Sequence, residues 1–78
     1  VREPGEYAGG HIPGALNLPL SRFDPSEVPT GKPVIMLCLS GARSGRAAAL
    51  CTSAGRQDVR NFSGGMAMWR LHGGAVTR

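Results

Sequence analysis

The stretch VIMLCLSGARSGRAAAL, residues 34–50, runs from an apolar segment through a cysteine and a Gly/Ser turn into a string of alanines. Val34 to Leu37 is apolar without alternation, the pattern of a strand covered on both faces in a parallel sheet with flanking helices. From Ser44 to Ala54 the apolar positions 47, 50, 51 and 54 recur at helical spacing. They predict an inward stripe of Ala47, Leu50, Cys51 and Ala54, closed by Gly55 as a left-handed cap. The stretch therefore reads as a strand-loop-helix unit, and the fold class follows from it: α/β, built on a parallel sheet.

The flanking segments extend the same pattern. Pro4 to Tyr7 suits a short helical turn with proline in its first position. ALNLPL (15–20) reads as a short extended piece, and SRFDPSEVPTGKP (21–33) as a connecting loop with a brief turn at Asp24 to Val28. DVRNF (58–62) predicts a second strand and GGMAMWRLHGG (64–74) a short helix with Met66, Trp69 and Met68 turned inward, followed by a tail. No linker or repeat divides the chain, so residues 1–78 read as one domain. Val1 reads as the end of a buried strand, so the domain is expected to be N-terminally incomplete, lacking its first strand and helix.

Composition bounds the function classes. Hydrophobic residues make up 41% of the chain and charged residues 18%, which argues against intrinsic disorder, while 12 Gly and 6 Pro require many turns. A chain this short buries only about 60 to 65% of its unfolded surface, so its stability margin is thin. The net charge of +4 favours small anions. Its arginines are scattered, with no basic run or interleaved aromatics, so nucleic acid is not the expected partner. No apolar run approaches the roughly 20 residues of a membrane span, so no membrane partner is expected either. No leader is visible; a cytoplasmic location is favoured, and any targeting segment would lie outside these residues. The two cysteines, Cys38 and Cys51, fit no zinc-ligand spacing, and His11 and His72 form no ligand cluster with them. A structural metal site is therefore not expected.

Cys38 sits where open α/β sheets bind ligands, at the end of a strand and ahead of a helix N-terminus. Unpaired N–H groups and the helix dipole there can lower a thiol pKa from about 8.5 to roughly 3.5 to 7.5. Gly41 supplies the positive φ that turns successive N–H groups inward, and Ser40 and Ser44 add hydroxyls. Arg43 offers a fixed guanidinium fork for an oxyanion beside the sulfur. The alternative from the residues alone is a small buried cysteine in an ordinary turn. Cys51 reads as core packing, His11 as a turn residue fixing backbone groups, and Trp69 as core. Glu6 and Arg2 either shape the site or form a surface or structural pair.

Three blocks then come together. VREPGEYAGGHIPGALNLPL (1–20), VIMLCLSGARS (34–44) and DVRNFSGGMAMW (58–69) resemble, in order and spacing, the characteristic blocks of single-domain rhodaneses. The first is similar to the family's D-V-R-x-x-x-E-Y-x-x-G-H-I-P-G-A, without the aspartate that would precede Val1. The second is similar to C-x-x-G-x-R-S through Cys38, Gly41, Arg43 and Ser44, and the third to G-G-x-x-x-W through Gly64, Gly65 and Trp69. The resemblance implies a rhodanese-like sheet flanked by helices on both faces. It also implies a thiosulfate sulfurtransferase in which Cys38 is the nucleophile and carries a persulfide, with no metal or organic cofactor required. Leu39, Ser40, Gly41, Ala42, Arg43 and Ser44 would bind the substrate. The implied partners are a small anionic sulfur donor and a thiol or cyanide acceptor, with an acceptor protein as a further partner. Leu39 departs from the basic or polar residue some relatives carry beside the cysteine. A cysteine phosphatase or arsenate reductase is the enzymatic rival, but such loops place five residues between cysteine and arginine, where this chain has the four from Leu39 to Ala42. A rhodanese-like binding or regulatory module, or a persulfide carrier, is the rival from another class.

Overall fold

The computed structural model describes residues 1–78. Its elements are α1 (Pro4–Ala8), two single 3₁₀ turns (Leu20–Arg22 and Pro25–Glu27), β1 (Val34–Met36), α2 (Ala42–Ser53), β2 (Val59–Asn61) and α3 (Gly65–Leu71). The α/β reading holds: β1 and β2 pair in parallel, with Val34 opposite Val59 and Met36 opposite Asn61, and α2 is the crossover between them. This register places Asn61 directly beside the strand end from which Cys38 departs. No helix is long and apolar enough to cross a membrane.

α1 begins with Pro4, whose missing N–H falls where the helix needs none, and Glu3 and Glu6 form a reciprocal capping box. α2 starts two residues earlier than the helical periodicity alone indicates, because Gly41 at φ 96° turns the chain directly into the helix. Its end is a full Schellman arrangement: the Gly55 N–H donates to the Thr52 carbonyl and the Arg56 N–H to the Cys51 carbonyl.

The core gathers Val28, Met36, Ala47, Cys51 and Val59 between α2 and the sheet, with Leu18, Leu20 and Phe23 packed around it. Three expectations are corrected here. Leu50 is 44% exposed and Ala54 is also exposed; the buried stripe of α2 is Ser44, Ala47 and Cys51. Leu50 is turned about 100° from Cys51 around the helix, beyond the reach of a two-stranded sheet. Ile35 is 68% exposed, so β1 is covered on one face at this position rather than both. Its side chain instead borders an open apolar groove of about 180 Å³ with Val1, Ile12, Leu16, Leu18 and Leu37. Met68 is 39% exposed, whereas Met66 is fully buried and Trp69 half-buried.

The tail is tied back as well. His11 and Thr77 exchange both backbone hydrogen bonds, at 2.8 and 2.7 Å, and the Trp69 indole donates to the Ala75 carbonyl at 2.8 Å. His11 fixes backbone groups as its turn position implies: Nδ1 lies 2.8 Å from the Tyr7 carbonyl, and its ring stacks on Tyr7 at 3.7 Å.

Candidate active site

The chain leaves β1 at Met36 and reaches Cys38, whose side chain is 1% exposed. Two backbone bonds clasp this point from α3: Met66 N–H to the Cys38 carbonyl at 2.7 Å and Ala67 N–H to the Leu39 carbonyl at 3.0 Å. The approach requires glycine. A Cβ on Gly65, which sits at φ 57°, would lie 2.5 Å from the Cys38 carbonyl oxygen. Gly41 is just as constrained, because a Cβ there would meet the Ser63 carbonyl oxygen at 2.2 Å. The two glycines let β1, the loop and the start of α3 close on one sulfur.

Around that sulfur the loop forms a ring of donors. The Gly41 N–H lies 3.1 Å from Cys38 Sγ and the buried Ser44 hydroxyl 3.5 Å from it. Burial alone would push the thiol up. The Ser44 hydroxyl and the N–H groups of Ser44, Ser40 and Gly41 outweigh burial and bring its pKa down to about 6. At pH 7 a thiol of that pKa is about nine-tenths thiolate, against about three hundredths for an unperturbed one. Cys51 differs. It is fully buried among apolar neighbours, and burial pushes its thiol up.

An ultraviolet titration separates the two thiols. Thiolate absorbance of the native chain is expected to rise with a midpoint near pH 6, and this step is expected to vanish in Cys38→Ser. A first step near pH 9 would contradict the donor ring.

The sequence-predicted site residues converge in part. Gly41 and Ser44 face the sulfur, Leu39 and Ser40 are exposed at the loop surface, and Ala42 is the exposed first residue of α2. Arg43 is not an unengaged fork: its two terminal nitrogens donate to the two Glu6 oxygens at 2.5 and 2.9 Å. The pair holds the Glu6 carboxyl down at about 2, through the Arg43 hydrogen bonds first and the Glu3 N–H second. Two of the five guanidinium N–H donors are thereby used. Arg2 takes the structural alternative: its side chain is buried and donates to the Gly10 carbonyl.

Asn61 is the residue the sequence reading missed. From the end of β2 its Nδ2 donates to the Gly41 carbonyl at 3.2 Å, and its Oδ1 accepts from the Ser44 hydroxyl at 2.5 Å. A polar residue ending a strand beside a nucleophile loop is the signal that could have found it. The apolar groove beside Ile35 does not include Cys38.

Comparison with known proteins agrees with this geometry. The model of the Rhodanese-like domain family matches residues 1–72. The chain is 45% identical over 71 residues to YqhL, an uncharacterized protein of Bacillus subtilis, covering 88% of this chain and 56% of that one. It is 41% identical over 75 residues to a protein of Allochromatium vinosum named sulfurtransferase, covering 94% and 70%. To the thiosulfate:glutathione sulfurtransferase of Saccharomyces cerevisiae it is 35% identical over 89 residues, covering 95% and 64%. The chain spans 56% and 42% of the lengths of the first two relatives it matches, YqhL and a Synechocystis protein. No solved structure matches it. A family match over nearly the whole chain, together with a strand-cysteine-loop-helix site that keeps Cys38, Gly41, Arg43 and Ser44 in register, makes this protein a member of the rhodanese-like domain family.

Proposed function

We propose that the chain is a sulfurtransferase that moves sulfane sulfur from thiosulfate, or a related anionic donor, to a thiol or cyanide through a persulfide on Cys38. The observation that carries this reading is the ring of donors around a cysteine whose pKa is drawn to about 6. The Cys38 thiolate attacks the outer sulfur of thiosulfate. A new S–S bond forms, the old one breaks, and sulfite leaves with its electron pair. The terminal persulfide sulfur is then an anion that the N–H groups of the Leu39–Ser44 loop stabilise as an oxyanion hole stabilises oxygen. An acceptor thiolate or cyanide attacks that sulfur and returns Cys38 to its thiolate. Arg43, held by Glu6, presents its remaining N–H donors to the sulfonate end of the donor.

The names of two relatives support the reading, one a sulfurtransferase and one a thiosulfate:glutathione sulfurtransferase. The four-residue interval from Cys38 to Arg43 supports it against phosphate chemistry, because loop length sets which ion the converging N–H groups reach. The test is a steady-state assay with thiosulfate and cyanide. Thiocyanate is expected in two-step, ping-pong kinetics, with no phosphate released from an aryl phosphate. Phosphate release without thiocyanate would reverse the assignment.

A further inference from the structure

The Gly41 carbonyl can only accept hydrogen bonds, and it already takes the Gly45 N–H at 2.9 Å as the first bond of α2. The Asn61 group 3.2 Å from it must therefore be the amide nitrogen, which fixes the amide's orientation and turns Oδ1 toward Ser44. Oδ1 also only accepts. The Ser44 hydroxyl has a single proton and three acceptors in reach: Asn61 Oδ1 at 2.5 Å, the Gly41 carbonyl at 3.3 Å and Cys38 Sγ at 3.5 Å. Donation to Oδ1 is the shortest of these, and whatever goes to Asn61 is withheld from the sulfur.

We infer that Asn61 is a positioning residue that competes with Cys38 for the one proton of Ser44. When Cys38 is a thiol, its S–H donates to Ser44 Oγ and the hydroxyl donates to Asn61, so every group is satisfied. When Cys38 ionises, Ser44 turns its proton to the sulfur and Asn61 Oδ1 loses its donor. Asn61 is exposed, so Oδ1 then turns to water, and the exchange of its short bond from Ser44 for a hydrated one holds the thiolate in check. Asn61 thereby keeps the sulfur more basic than the N–H ring alone would leave it, and a more basic thiolate is intrinsically the stronger nucleophile. The inference rests on the reading of Cys38 as the reacting group.

The test reads ionisation rather than sulfur transfer, so it stands apart from the function proposed above. Thiolate absorbance of the full chain is titrated against pH in single and paired variants. The other charged groups acting on Cys38, the Arg43 guanidinium and the Val1 ammonium, are the same in all of them. Asn61→Ala frees the hydroxyl for the sulfur, and the Cys38 midpoint is expected to fall by about half a unit to one unit. Asn61→Asp holds the proton more firmly and adds a negative charge, and the midpoint is expected to rise by at least about one unit. In a Ser44→Ala background the effect of Asn61→Ala is expected to vanish. If Asn61→Ala does not fold, Asn61→Leu keeps the side-chain volume without its polar atoms and gives the same downward shift. Shifts of the same sign in Asn61→Asp and in the apolar variant, or a shift from the apolar variant that survives in Ser44→Ala, would overturn the inference. Loss of sulfur transfer with the opposed shifts intact would count against the proposed function alone.

Discussion

Cys38→Ser is expected to lower sulfur transfer by at least about a thousandfold while leaving the fold in place. The exchange changes one atom in a site that is already closed, so packing alters little. The chemistry changes completely. A serine hydroxyl in the same ring of N–H groups stays protonated at neutral pH, whereas the Cys38 thiol, at about 6, is mostly ionised. An alkoxide would also form an S–O bond in place of the S–S bond that a persulfide needs. Cys51→Ala is the control. Cys51 is fully buried, its thiol is pushed up by burial, and its place is the core between α2 and the sheet. Its truncation is expected to lower the melting temperature and to leave transfer per folded molecule within about twofold. Equal losses in both variants would mean that Cys38 acts through structure.

The second large effect is expected at Gly41. Alanine there meets the Ser63 backbone, with its Cβ 2.2 Å from the carbonyl oxygen, and must also hold φ 96°. Side-chain atoms could yield to such a contact, but here backbone on both sides would have to move. Gly55 provides the comparison, because it has a nearly equal φ of 94° and open space around its Cβ position. Gly55→Ala therefore isolates the conformational strain, about 1 kcal/mol, while Gly41→Ala adds the steric term for roughly 3 to 4 kcal/mol in all. For a domain of this size that is a fall in melting temperature of more than about 10 °C, against about 5 °C for Gly55→Ala. Since the Gly41 N–H also faces Cys38 Sγ, any Gly41→Ala protein that still folds is expected to show a raised Cys38 midpoint. Equal destabilisation by the two alanines would refute the close approach of Ser63.

These two expectations draw on different layers of the sequence. The βα unit was legible because its signals are local: an apolar run, a cysteine, a glycine at the turn and an alanine-rich helix ended by Gly55. The donor ring follows from the same stretch, since Gly41 and Ser44 lie three and six residues from Cys38. Asn61 was not legible in this way. It reaches Ser44 only through the pairing of Met36 with Asn61, and a strand register depends on the whole sheet. The Arg43–Glu6 pair spans 37 residues of sequence, so the choice between a free fork and a tethered one lay beyond local pattern. Ile35 shows the limit from the other side. A continuous apolar run declares that residues avoid water, but not which face of the strand an element covers, and Ile35 remains exposed above the groove. The tail carried no signal at all. Thr77 pairs with His11 through backbone atoms, which any residue but proline supplies.

The proposed transfer turns on one covalent event at Cys38, and the intact mass of the chain after incubation with thiosulfate measures it directly. A gain of a single sulfur atom is predicted, absent in Cys38→Ser, retained in Cys51→Ala and removed by cyanide. No gain, or a gain that persists in Cys38→Ser, would contradict it.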